Sequence, residues 1–133
     1  MSLVFADTSF YIALISARDS CHDQMVQISN DYRGDILTTE YVLIELGNYL
    51  CGISRIGFLN FVHALRQDSR TSILPSSPAL FEHGLQLYAQ RQDKGWSLTD
   101  CISFAVMHQQ DIKTAFTLDH HFEQSGFLVL PKM

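Results

Sequence analysis

The chain has 133 residues, 47% of them apolar and 17% charged, and 9 Lys and Arg against 14 Asp and Glu give a formal charge of −5. That length holds one domain whose core needs no disulfide or metal staple, and the apolar fraction excludes a disordered chain. The acidic balance excludes nucleic-acid binding through bulk positive charge and leaves open a contact made through bound cations.

In chain order, the apolar run Leu3 to Ala6 predicts a strand ending at Asp7, and Thr8 and Ser9 are cap residues for a helix over Phe10 to Ser16. A second amphipathic segment, Cys21 to Tyr32, ends at Gly34, and Asp35 to Thr38 reads as a second strand. Thr39 can cap a helix from Glu40 to Cys51, in which Glu45 is an acid inside a nearly apolar stretch. Glu40, five residues earlier, points about 140° away on ideal helix geometry and reads as a first-turn carboxylate. Gly52 and Gly57 are expected to bracket a turn before an apolar helix with Phe58, Leu59, Phe61, Val62 and Leu65. Ser72 to Leu74 is a third strand, and Pro78 opens a helix that runs to about Gln92.

After a polar loop, Thr99 is the expected cap for a helix from Cys101 to Gln109, which places Asp100 in its first turn, where the helix dipole favours a carboxylate. Thr114 to Leu118 predicts a fourth strand ending at Asp119; His120 to Gln124 is a short turn, and Phe127 to Leu130 is the last strand. Short apolar strands alternating with helices imply an α/β fold, a three-layer α/β/α sandwich with a parallel central sheet of four to five short strands. No repeat or linker divides the chain, so residues 1–133 are expected to form one domain. Cys21, Cys51 and Cys101 are odd in number and widely spaced, which suggests neither a disulfide framework nor a thiolate zinc site. No apolar run approaches the roughly 18 residues that span a bilayer, and the first residues lack a secretory pattern, so a cytoplasmic protein is expected.

Ligands of parallel sheets gather outside the carboxyl ends of the strands. Asp7 and Asp119 follow strands, Asp100 opens a helix and Glu45 lies in an apolar one. If these four converge, their mutual repulsion requires a cation, because two close carboxylates do not both stay ionised without one. Oxygen ligands with no His or Cys pattern select Mg²⁺ or Mn²⁺, which also accept phosphate oxygens. The matching chemistry is hydrolysis of a phosphodiester by water that the ion activates. Setting the four acids aside leaves 9 basic residues against the remaining 10 of 14 acidic ones, so the acidity is mostly a property of the site.

Four segments, Phe5-Ala6-Asp7-Thr8-Ser9, Thr39 to Glu45, Ser97-Leu98-Thr99-Asp100 and Phe116 to Phe127, together resemble a PIN domain, most closely the VapC-type toxin ribonucleases. The resemblance covers Val4 to Leu130. It implies that Asp7, Glu45, Asp100 and Asp119 are metal-coordinating catalytic acids, that Thr117 supplies a hydroxyl near the site, and that the hydroxyls of Thr8 and Ser9 lie beside the first ligand. It also implies Mg²⁺- or Mn²⁺-dependent cleavage of RNA to 5′-phosphate and 3′-hydroxyl ends, restrained by a cognate antitoxin. The alternative on the same fold is a non-catalytic module that binds RNA or protein.

His120 and His121 show no zinc spacing with another His or Cys, and they are read as a polar turn residue and a packed one. Lys94 and Trp96 are candidate substrate contacts, Lys94 for a phosphate and Trp96 for stacking on an unpaired base, against a reading in which Trp96 packs inside. The apolar excess between Tyr41 and Leu65 is expected to serve the core and a surface for a second copy, giving a homodimer, or for an antitoxin.

Overall fold

The computed structural model describes residues 3–132. Met1, Ser2 and Met133, which the readings of the N-terminus and of a 1–133 domain include, lie outside the described residues. The elements are β1 (Leu3–Ala6), α1 (Thr8–Ile15), α2 (His22–Asp31), β2 (Asp35–Thr39), α3 (Glu40–Leu50), α4 (Arg55–Gln67), β3 (Thr71–Leu74), α5 (Pro78–Gln90), α6 (Leu98–Gln109), β4 (Thr114–Phe116), α7 (His121–Gln124) and β5 (Leu128–Leu130). All strand pairs are parallel, in the order β3-β2-β1-β4-β5. The chain therefore leaves β1 toward β2 and β3, then returns to the other side of β1 as β4. That reversal opens a crevice at the carboxyl ends of β1 and β4.

Strand alternation divides the core between the two faces of the sheet. Phe116 on β4 stacks against Phe10 of α1 at a 4.7 Å ring separation and meets Tyr32 edge-on at 5.1 Å. On the opposite face, Phe5 of β1 lies 6.2 Å from Phe122 of α7, which meets Phe104 of α6 edge-on at 4.9 Å. All of these rings but the half-buried Tyr32 are fully buried, and they hold α1 and α2 on one side, α6 and α7 on the other, which is the three-layer α/β/α sandwich. Helix α6 is buried at seven positions from Asp100 to Met107, so the acid it carries near its start is fixed by the core.

Local chemistry accounts for several shifted boundaries. Ser54 caps α4 by accepting from the Gly57 N–H at 2.9 Å, so Gly57 stands in the helix's first turn and does not bracket a loop. Strand β4 stops at Phe116, earlier than the hydrophobic run suggests. Thr117 N–H still reaches Leu130 O at 3.1 Å, but the N–H groups of Leu118 and Asp119 go to the hydroxyls of Ser9 and Thr117. Among the described residues, no helix is long and apolar enough to cross a membrane.

Candidate active site

Asp7 takes the N-cap position of α1, with extended backbone angles of −95° and 166°, but its side chain forms no cap bond. Instead its Oδ2 accepts from the Thr117 hydroxyl at 2.9 Å and from the Ser9 hydroxyl at 3.3 Å. The two hydroxyls lie 3.1 Å apart, and each accepts a backbone N–H from the segment after β4 at 2.9 Å. This bracket ties the end of β1 to the end of β4 across the crevice. Asp7 is 4% exposed, and burial pushes its carboxyl up to about 7; the backbone N–H of Thr8 and then the Thr117 hydroxyl oppose the rise, while the charges of Asp100 and Glu45 add to it.

Asp100 is the third residue of α6. Ser97, not Thr99, is the cap: its hydroxyl accepts from the Asp100 N–H at 3.0 Å, and the Asp100 carboxylate accepts from the Ser97 N–H at 3.2 Å. Thr99 fails as a cap because the helix already begins at Leu98, and the reciprocal bonds of a capping box satisfy two of the donors that a helix start leaves open. The carboxyl of Asp100 is raised by burial first and by the charge of Asp119 second, against the opposing effect of His121.

His121 is a residue of the candidate site that the sequence reading did not place there. Its Nδ1 lies 3.0 Å from Asp100 Oδ2 and 3.2 Å from Asp119 Oδ1, and its backbone N–H donates to Asp119 Oδ1 at 2.9 Å. It bridges two of the acids and is not simply packed. The Asp-x-His spacing from Asp119 to His121 was the signal available, since it lets one residue reach the same carboxylate from backbone and ring.

Asp7, Thr8, Ser9, Glu45, Asp100, Asp119 and His121 line one cavity of about 340 Å³. Glu45 is half-buried on α3 and Asp119 is 28% exposed at its side chain. Among the described residues, no Lys or Arg lines this cavity. The Thr8 hydroxyl is buried there without a hydrogen-bond partner. Four carboxylates with no Lys or Arg beside them, and an orphaned hydroxyl, fit a hard divalent cation that keeps some of its waters. The four carboxylates do not all lie within direct ligating distance of one another. Among the described residues, the group of potential ligands that does is Asp119, His120 and His121.

Trp96 follows the reading in which it packs inside, not the one in which it stacks on a base. It is 5% exposed; Nε1 donates to Gln124 Oε1 at 3.0 Å, Phe104 meets it edge-on at 5.0 Å, and the Arg91 guanidinium lies 5.0 Å from its ring centroid. Those partners engage the ring edge, its N–H and one neighbouring face in packing. Lys94 is half-buried beside it, in a second cavity of about 490 Å³ that shares Gly95 and Ser97 with the acidic one. Glu40 accepts from the Ser76 N–H at 2.6 Å and the Ser76 hydroxyl at 2.9 Å, away from the acid cluster.

A parallel α/β sheet with acids gathered at its switch point defines a class, and comparison with known proteins gives the same one: residues 4–128 match the PIN domain model, and the chain belongs to that family. It is 28% identical over 129 residues to the 23S rRNA-specific endonuclease VapC20 of two Mycobacterium tuberculosis strains, covering 95% of this chain and 96% of the relative. The crystal structure of M. tuberculosis VapC20, described as a Sarcin-Ricin loop cleaving toxin, superposes with a TM-score of 0.86 at 25% identity, covering 96% of this chain and 97% of that one. A toxin–antitoxin complex from Klebsiella pneumoniae shares the fold, with a TM-score of 0.68 at 18% identity over 96% of this chain and 95% of that one.

Proposed function

We propose that the chain is a metal-dependent endoribonuclease, the toxin of a toxin–antitoxin pair, working as one domain in the cytoplasm. The observation that carries this reading is a single cavity at the switch point of the sheet, lined by Asp7, Glu45, Asp100 and Asp119. The names of the M. tuberculosis relatives support RNA as the substrate.

Asp7, Asp100, Asp119 and Glu45 are the residues that would hold Mg²⁺ or Mn²⁺. When bound, such an ion supplies activation of water and neutralisation of phosphate charge. The chain's own contribution is placement. Thr117 and Ser9 hold the Asp7 carboxylate by two hydroxyl bonds, and Ser97 and His121 hold that of Asp100. Glu45 completes the acid ring from α3 or orients the attacking water, and Lys94, next door, is placed to hold a flanking phosphate.

Ile44, Tyr49, Ile53, Ile56 and Leu59 are all at least half exposed along α3, α4 and the turn between them, and these side chains support a homodimer or antitoxin surface. The test of the catalytic reading is Asp100→Asn. In a Mn²⁺ titration with RNA, the variant is expected to lose at least about 100-fold in cleavage rate, because a missing ligand costs no less than a missing supporting partner. A variant that cuts as fast as the parent overturns the assignment.

A further inference from the structure

His120 and His121 are adjacent in sequence and yet turn toward one carboxylate. His120 stands before α7 with helical backbone angles, its side chain 68% exposed, and its Nδ1 lies 4.0 Å from Asp119 Oδ1. His121 Nδ1 lies 3.2 Å from the same oxygen, and the two rings are 4.7 Å apart at their centroids. One ligand atom from each of Asp119, His120 and His121 falls within 4.8 Å of the others. In a tetrahedral zinc site, with bonds of about 2.0–2.2 Å, neighbouring ligand atoms are separated by roughly 3.3 Å. The Asp119–His121 separation already matches at 3.2 Å, and His120 Nδ1, 4.0 Å from Asp119 Oδ1, is carried by an exposed ring that is free to turn inward.

We infer that Asp119, His120 and His121 form a second cation site, selective for ions that bind imidazole, such as Zn²⁺ or Co²⁺, whose occupation withdraws Asp119 from the acidic cavity. Two imidazoles and one carboxylate are a donor set that Mg²⁺ disfavours and late first-row ions prefer. The site therefore discriminates against the ion proposed for the main cavity while sharing one of its acids. At His121 the ion binds the Nδ1 lone pair of the neutral ring, whose single proton then sits on Nε2, and the contacts of Nδ1 with Asp100 and Asp119 give way to a coordination bond. Inhibition follows because the Asp119 carboxylate, turned to bind beside the two histidines, is drawn away from the acidic cavity. This consequence rests on the ribonuclease reading; the site itself does not.

Co²⁺, whose visible absorption reports its coordination, is the probe, added to the full chain in excess Mg²⁺. The parent is expected to bind one Co²⁺ with a spectrum that further Mg²⁺ does not remove. His120→Ala, a change at an exposed side chain, is expected to weaken that binding at least about tenfold, as His121→Ala does. Asp7→Asn, which removes an acid of the main cavity and none of these three ligands, is expected to keep it. Unchanged Co²⁺ affinity in His120→Ala, loss of the spectrum in Asp7→Asn, or displacement by Mg²⁺ overturns the site. In the second arm, Zn²⁺ is expected to inhibit Mg²⁺-supported RNA cleavage by the parent, with about tenfold more Zn²⁺ needed for His120→Ala. Equal inhibition of both overturns the regulatory consequence, whereas a parent that cuts no RNA counts against the ribonuclease reading and leaves the Co²⁺ arm to judge the site.

Discussion

Asp7 occupies a cap position and caps nothing with its side chain, because hydroxyls from Ser9 and Thr117 hold the carboxylate at the cavity wall. Its buried carboxyl is raised from 3.8 to about 7, so the folded chain binds that proton more tightly than the unfolded chain does. The stability this group contributes in the absence of metal is therefore complete below about pH 4 and is lost as pH rises through about 7. Asp7→Asn is neutral at every pH. In EDTA at pH 8 the variant is expected to be more stable than the parent by up to about 4 kcal/mol, with the difference closing by pH 4. Denaturant unfolding across that range measures it, and parallel pH profiles for the two proteins would contradict the burial argument. The same substitution is expected to abolish cleavage, which separates a residue kept for chemistry from one kept for folding. At this scale the four acids were legible because each stands where an ordinary surface carboxylate does not: after a strand, in a helix start or on an apolar helix. His121 was not, since its role depends on how two neighbouring rings turn at the start of α7. The choice between packing and stacking at Trp96 was open for a similar reason, because only the fold brings Gln124, 28 residues away, to its indole N–H.

Elements present the acids, and their packing sets how firmly. Helix α6 carries Asp100, and α5 packs against it so closely that a Cβ on Gly84 would run into Ile102 Cγ1, with the Ile102 Cα 3.4 Å away. Ile102 is 2% exposed and β-branched, so it has little freedom to move aside. Gly84→Ala is expected to destabilise the protein by about 1–3 kcal/mol, despite the gain in helix propensity, and thermal unfolding measures it. A neutral or stabilising result would mean that the α5–α6 contact relaxes easily and that α6 is held mainly by the sheet. The helices and strands themselves were readable from hydrophobic periodicity, and errors fell at their ends. Ser54 and Ser97 begin α4 and α6 earlier than expected, and hydroxyl bonds from Ser9 and Thr117 end β4 earlier. These boundaries are set by single side-chain hydrogen bonds, which periodicity does not encode. The close approach at Gly84 is a property of two helices, and nothing in either segment alone announces it.

Across the whole molecule, charge decides how RNA can approach. The chain carries −5 formally, four of its acids line one cavity, and among the described residues no Lys or Arg shares that lining. A phosphodiester entering the cavity meets carboxylates first, so affinity is expected to depend on divalent cations more than on basic side chains. For a short single-stranded RNA followed by fluorescence anisotropy before cleavage, Mg²⁺ or Mn²⁺ is expected to tighten binding at least about tenfold relative to EDTA, equivalent to about 1.4 kcal/mol. Removing the negative charge gives the complementary expectation. A chain with Asp100→Asn and Asp119→Asn together is expected to bind RNA more tightly than the parent in EDTA and to gain little from added Mg²⁺. If the parent instead binds equally well with and without divalent ions, the contact is carried by basic residues outside the acidic cavity. Arg91 and Lys94, in the adjoining cavity, are the nearest place to look, and their replacement by Ala would then lower the affinity that the acids do not control.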